Sequence, residues 1–341
     1  MNNYKFLNNI NSPDDLKKLS LANIDILSNE ISHYIDEVIK KVGGHYSSPL
    51  GVVDLTLALH YVYDMPSDKI IWDVGHQAYA HKIITGRRVE FGNIRQKSGI
   101  SGFLKRDESK FDVFGAGHAS TSISAALGFA HVRDSKKTNE KVVAIIGDGS
   151  MTGGLAYEGL NNLGYHRTQL TVILNDNSLS ISKSVGALSK YLTRISTNPT
   201  YNKLRKDIWN ISGKIPTFSE KIRSFLKKAE GGMKAYLTPG SLFEELGLRY
   251  IGPIDGHNIK EMINVFNAVK KMNTPVLLHI YTDKTKKIQQ KESDAIKYYS
   301  LKGENYSKPN NNLRNSITFS SVLGEALYSL APKFDFKCIT A

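Results

Sequence analysis

One short stretch of this chain, Val142 to Ile146, is apolar at every position, and two more, Leu170 to Leu174 with a single Thr171 and Pro275 to Ile280 with a single His279, are nearly so. A strand or helix with one wet side shows polar residues at every second or every third to fourth position. A run with no such interruption must bury both of its faces. These runs are rich in β-branched residues and leucine, are of strand length, and fall far below the ~20 residues that a membrane-crossing helix needs. Helix-like segments separate them: Leu155 to Leu163 lies between the first two, and Ile259 to Met272 precedes the third. Strand, helix and strand in alternation require crossover connections. The expected class is therefore α/β, a parallel sheet flanked by helices.

Other elements fit that frame. Ile24, Leu27, Ile31, Ile35 and Val38 recur at steps of three and four within Ser20 to Lys41, an amphipathic helix that the Gly43-Gly44 pair stops. A second helix is expected over Val52 to Tyr63, a short strand over Lys69 to Trp72, and a helix starting near Ser120. Residues 1–300 make up the expected α/β domain. Within it, 198–238 is a basic excursion from the sheet and a candidate mobile flap. The polar run 301–316 reads as a linker, and 317–341, with a helix over Ser316 to Ala331 and a strand over Phe336 to Thr340, as the truncated start of a second α/β domain.

Composition narrows the partners. Lys and Arg exceed Asp and Glu by 45 to 32 among 341 residues, a net charge of +13. The excess concentrates in Lys203 to Lys234 and Lys284 to Lys291, where no zinc-finger, helix-turn-helix or aromatic RNA-binding signature accompanies it, so nucleic acid is not expected. Much of this charge reads as lysines on solvated faces, and a small anionic ligand is the better use of the rest. Met1 to Ile10 has no apolar signal-like core, and the single Cys338 cannot form an internal disulfide. A cytoplasmic, non-membrane protein is expected.

Ligands of parallel sheets bind beyond the carboxyl ends of the strands, and the polar motifs lie in those loops. One strand delivers Gly147-Asp148-Gly149-Ser150 and the next delivers Asn175-Asp176-Asn177. Adjacent strand ends could present the Asp148 carboxylate and the Asn177 amide oxygen to one ion. Mg²⁺ suits this pair, because it takes oxygen ligands and completes its shell from phosphate and water. Gly149 and Ser150 precede a helix whose N-terminus favours an anion. Three further loops place a histidine beside glycine: Gly44-His45, Gly75-His76 and Gly117-His118-Ala119. Their imidazoles titrate near neutrality and can donate to phosphate or move protons. His33, His60, His131, His166 and His279 fall within or next to expected helices or strands, where a structural role is expected; His81 and His257 are intermediate.

Other readings compete. A dinucleotide site at Gly115-Ala116-Gly117 lacks the third glycine, which is Ser120, and a serine-hydrolase elbow at Ser150 lacks the glycines that Asp148 and Thr152 replace. A non-catalytic diphosphate-binding module and one subunit of a split enzyme remain as alternatives.

The stretches GHYSSPLGVVDLTLALHYVY, IIWDVGHQAYAHKIITGRR, GHASTSISAALGFA, GDGSMTGGLAYEGLNNLG, VILNDNSLSIS, PGSLFEELGLRYIGPIDGHN and PVLLHIYTDK resemble the 1-deoxy-D-xylulose-5-phosphate synthases of the transketolase superfamily. That resemblance spans roughly Leu16 to Lys284. It implies a thiamine diphosphate- and Mg²⁺-dependent homodimeric transferase that condenses pyruvate with glyceraldehyde 3-phosphate, losing carbon dioxide, for isoprenoid, thiamine and pyridoxal precursors. By the same resemblance Asp148, Asn177 and the Leu179 carbonyl would hold the metal. Gly117, His118, Ala119, Gly149, Ser150 and Lys284 would contact the cofactor, His76 would stand near its diphosphate and thiazolium, and His45 would face substrate. The chain departs from the family pattern at Thr285-Lys286-Lys287-Ile288, where a Gly-basic-Gly-Tyr segment is usual. An activating glutamate belongs to a later domain of the family, so this chain alone is expected to be inactive.

Overall fold

The computed structural model describes residues 4–177, 191, 240–284, 286–287, 298–304 and 319–334. Seven strands occur among them: β1 (Gly44–His45), β2 (Lys69–Trp72), β3 (Val142–Gly147), β4 (Thr171–Asp176), β5 (Arg249–Asp255), β6 (Val276–Tyr281) and β7 (Ser300–Leu301). The central sheet is five-stranded in the order β2-β3-β4-β6-β5, and all its pairings are parallel.

The apolar runs are explained by the two layers on this sheet. In β3, Val142, Ala144 and Ile146 face one core while Val143 and Ile145 face the other. The first core is completed by helices Ser122–Lys136 and Gly154–His166, and the second by helices Leu21–Val42, Val53–Val62 and Ile259–Val269. With both faces covered, a polar residue at any of these strand positions would lose its water without gaining a partner.

Helix Leu21–Val42 keeps Ile24, Leu27, Ile31 and Ile35 fully buried, and the Ser20 side chain caps it by accepting from the Asn23 N–H. Its stop does more than end the helix. A Cβ on Gly43 (φ +82°) would sit 2.7 Å from the Lys302 carbonyl oxygen. The bare glycine therefore lets β7 lie antiparallel against β1, with Gly44 opposite Leu301. Leu301 thus pairs back onto the α/β unit.

The helix expected near Ser120 begins at Ser122. The sequence pattern did not reveal β5, an edge strand with a register irregularity between Ile251 and Ile254 that spans Gly252-Pro253. A proline interrupts the ladder and confines such a strand to the edge. Helix Phe319–Leu330 lies within the expected Ser316 to Ala331, with Phe319 and Tyr328 exposed. The excursion 198–238 and the strand expected over Phe336 to Thr340 lie outside the described residues, as do residues 305–316 of the linker 301–316. Among the described residues, no helix is long and apolar enough to cross a membrane.

Candidate active site

The parallel register of β3 and β4 sets Gly147 opposite Asn175, so Asp148 and Asn177 leave the sheet from neighbouring strand ends. The Asp148 N–H donates to the Asn175 carbonyl at 3.3 Å, holding the two tips together. Both side chains are nearly buried, at 9% and 8% exposure, and both line a cleft of about 400 Å³ at the carboxyl edge of the sheet. Leu179 lies outside the described residues.

Gly149 and Ser150 also line this cleft. They lead through the turn Ser150–Thr152 to Gly153, the N-cap of helix Gly154–His166, which has no side-chain cap. A facing loop is tied to them: the Ser120 hydroxyl donates to the Ser150 carbonyl at 2.7 Å, and a Cβ on Gly153 would sit 2.2 Å from that hydroxyl oxygen. Ala119 lines the cleft, whereas Gly117 and His118 are exposed and outside its lining.

Asp73 fixes the facing loop. Its buried carboxylate accepts from the Ser120 N–H at 2.8 Å and the Ser122 N–H at 3.0 Å, closing the N-terminus of helix Ser122–Lys136. Two non-glycine residues beside it are held in the left-handed region, Val74 at φ +59° and Ser120 at φ +70°. For a β-branched valine this is a true outlier, and such strain gathers where the surroundings over-determine the backbone.

On the opposite wall, Lys284 follows β6 and packs on the turn Ser47–Gly51, where a Gly51 Cβ would lie 3.3 Å from its Cα. Burial pushes its ammonium down to about 8, against the pull of the Asp148 carboxylate. His76 lines the same cleft. Burial, then the neighbouring His45 and the Lys284 charge, pushes it down to about 3, and its Nδ1 is buried with no hydrogen-bond partner among the described residues. Ser48 Oγ, also in the lining, is orphaned in the same way.

His45 is not in the lining. Its ring stands 5.4 Å from that of His76, 5.5 Å from Phe103 and 5.9 Å from Tyr299. Burial, and then Arg95, whose Nη1 lies 3.5 Å from His45 Nδ1, push it down to about 4. Tyr299 does line the cleft, brought there by the β1–β7 pairing and by a hydrogen bond from the Tyr46 N–H to its carbonyl at 2.9 Å.

The structure thus gathers Asp148, Asn177, Gly149, Ser150, Ala119, His76 and Lys284 around one cleft. Sequence reasoning passed over Asp73 and Tyr299. Asp73 lay inside a quoted motif but acts on residues 47 positions away, and two-residue strands carry no periodicity that would have announced Tyr299.

A family model described as 1-deoxy-D-xylulose-5-phosphate synthase matches residues 7–282. The chain belongs to that family. Synthases of this name from Caldanaerobacter subterraneus subsp. tengcongensis and Clostridium tetani are 48% and 47% identical to it, over 96% and 94% of its length. The synthase from Syntrophus aciditrophicus is 51% identical over 86% of the chain. The chain spans about half the length of these curated relatives, 53%, 52% and 45% respectively. Transketolase from Campylobacter jejuni shares the fold, with a TM-score of 0.60 at 17% identity, over 90% of this chain and 46% of that one. Lys284 and Tyr299 lie just past the residues matched by the synthase family, and their place in the cleft comes from the β6 exit and the β1–β7 pairing.

Proposed function

We propose that the cleft binds the diphosphate of thiamine diphosphate through Mg²⁺, and that the chain serves the condensation of pyruvate with glyceraldehyde 3-phosphate to 1-deoxyxylulose 5-phosphate, a transferase reaction. The observation that carries this reading is the convergence of the Asp148 carboxylate, Asn177 and the Lys284 ammonium on one cleft beside an uncapped helix N-terminus. One carboxylate and one amide oxygen suit Mg²⁺, which takes its remaining ligands from phosphate and water. The donor set fits the group in a second respect: His76 Nδ1 and Ser48 Oγ are buried polar atoms that a polar ligand would satisfy.

When bound, thiamine diphosphate supplies an ylid and an electron sink. This chain's residues provide the surroundings. Asp148 and Asn177 would hold the ion, with Leu179 as a third protein ligand by family resemblance. Gly149 and Ser150 bring backbone to the diphosphate, and Lys284 offsets its charge. His76 and His45, neutral near pH 7 because burial disfavours the imidazolium, can accept or donate a hydrogen bond without adding charge to the cleft. Gly117 and His118 are proposed cofactor contacts at its rim. The same resemblance assigns a homodimer and a role in isoprenoid and thiamine precursor synthesis, and the single Cys338 supports a cytoplasmic location.

Titration calorimetry with thiamine diphosphate tests the reading: binding that requires Mg²⁺ supports it, and metal-independent or absent binding overturns it. Formation of 1-deoxyxylulose 5-phosphate from the two substrates tests the reaction itself.

A further inference from the structure

His257 belongs to the stretch Asp255 to Asn258, which the site described above does not use. This turn is clamped onto the segment that leads to Lys284. The Gly256 N–H donates to the Tyr281 carbonyl at 2.7 Å, and a Cβ on Gly256 would lie 2.5 Å from Thr282 Cγ2, so only a bare glycine permits the approach. The next residue reaches further. His257 Nε2 lies 2.8 Å from the Asp283 backbone nitrogen, and His257 Nδ1 lies 2.9 Å from Asp54 Oδ2.

These contacts fix the tautomer. A backbone N–H only donates, so His257 Nε2 must accept. The ring proton is then on Nδ1 and is donated to Asp54. A carboxylate behind an imidazole in this way sets both the tautomer and the ring orientation. Asp54 is itself buried at the start of helix Val53–Val62 and is held from the other side. The Ser28 hydroxyl donates to its second oxygen, and Lys287 Nζ lies 3.3 Å from that oxygen while donating to Ser28 Oγ at 3.1 Å. Burial alone would raise the Asp54 carboxyl, but the His257 hydrogen bond, Lys287 and Ser28 outweigh it and leave it below its usual value.

The chain of contacts ends one residue before Lys284. We propose that Asp54 and His257 form a positioning relay that fixes the Asp283 amide and thereby aims the Lys284 ammonium at the diphosphate in the cleft. The relay rests on the proposed anion-binding role of Lys284. It places the determinant of that lysine's direction on a turn between β5 and helix Ile259–Val269, outside the cleft lining.

Two measurements on the full chain test it, with inorganic diphosphate and Mg²⁺ as the probe so that no outcome depends on thiamine. First, His257→Ala should speed hydrogen exchange at the Asp283 amide at least about tenfold while amides of β6 stay protected. His257→Gln, which sets a carbonyl oxygen near the place of Nε2, should restore both that protection and diphosphate affinity. Second, His257→Ala and Lys284→Ala should each weaken diphosphate binding, and the double variant should be no weaker than Lys284→Ala alone. Additive losses overturn the relay and leave the Lys284 reading standing. A Lys284→Ala chain that binds like the parent removes that reading and the relay with it. Should His257→Ala fail to fold, His257→Gln decides: parental exchange and affinity support the relay, and a folded Gln variant with a fast Asp283 amide overturns it.

Discussion

Helices Ser122–Lys136 and Gly154–His166 pack on the same face of the sheet and start at the same cleft, yet their first turns are treated in opposite ways. Asp73 closes the first with two hydrogen bonds from backbone N–H groups, whereas the second has no side-chain cap and its Gly153 N-cap lines the cleft. A helix start carries unpaired N–H groups and partial positive charge, which something must satisfy. Where the protein supplies the anion, the result is a rigid wall. Where it leaves the position to a side-chain-free glycine, an external anion has room. The difference separates a residue that builds the site from residues that use it.

Asp73→Ala should break the closed end and give the largest effect. Two buried N–H groups would lose their acceptor, at about 1–3 kcal/mol each, so urea unfolding should show a loss of roughly 3–4 kcal/mol. The strained Ser120 backbone should also relax. Asp148→Ala, by contrast, should leave unfolding nearly unchanged while lowering Mg²⁺-dependent thiamine diphosphate affinity about 100-fold or more, roughly 2.7 kcal/mol, as read by calorimetry. Equal destabilisation by the two variants would erase the distinction between builder and user.

Acid should act on the cleft next. His45 and His76 are depressed to about 4 and about 3, so between pH 6.5 and 4 the unfolded chain takes up protons that the folded chain resists. Stability contributed by these neutral rings is complete above pH 6.5 and is lost as pH falls through this window. Discounting for their partial exposure, the loss should be about 2 kcal/mol by pH 4.5, measured as a fall in the urea midpoint. His76→Gln should remove part of it. The smallest effect belongs to the tie between the two helix starts: Ser120→Ala deletes the hydrogen bond to the Ser150 carbonyl and should cost about 1 kcal/mol.

How much of this was legible depended on range. β3 and β4 could be read because burial on both faces writes an apolar run, broken only by Thr171, into the sequence itself. Asp148 and Asn177 could be read because each falls within three residues of the end of such a run. β5 was not visible, since Gly252-Pro253 breaks its pattern and its first residue, Arg249, is exposed. Asp73 and Tyr299 escaped for a different reason: their partners are set by tertiary pairing, which local propensity does not encode. His257 stood between these cases, flagged by its motif but explained only once Asp54 and the Asp283 amide were seen on either side of it.

The β1–β7 pairing has a consequence for the order of assembly. Ser300 and Gly44 are hydrogen-bonded across 256 positions, so the wall carrying Tyr299 closes one of the longest loops in the described chain. Contacts this distant in sequence are slow to form, because loop-closure entropy is spent before they return any stabilisation. A nascent chain emerging from the ribosome would complete its sheet through β6 first, and the cleft would stay open-sided until β7 arrived to seal it.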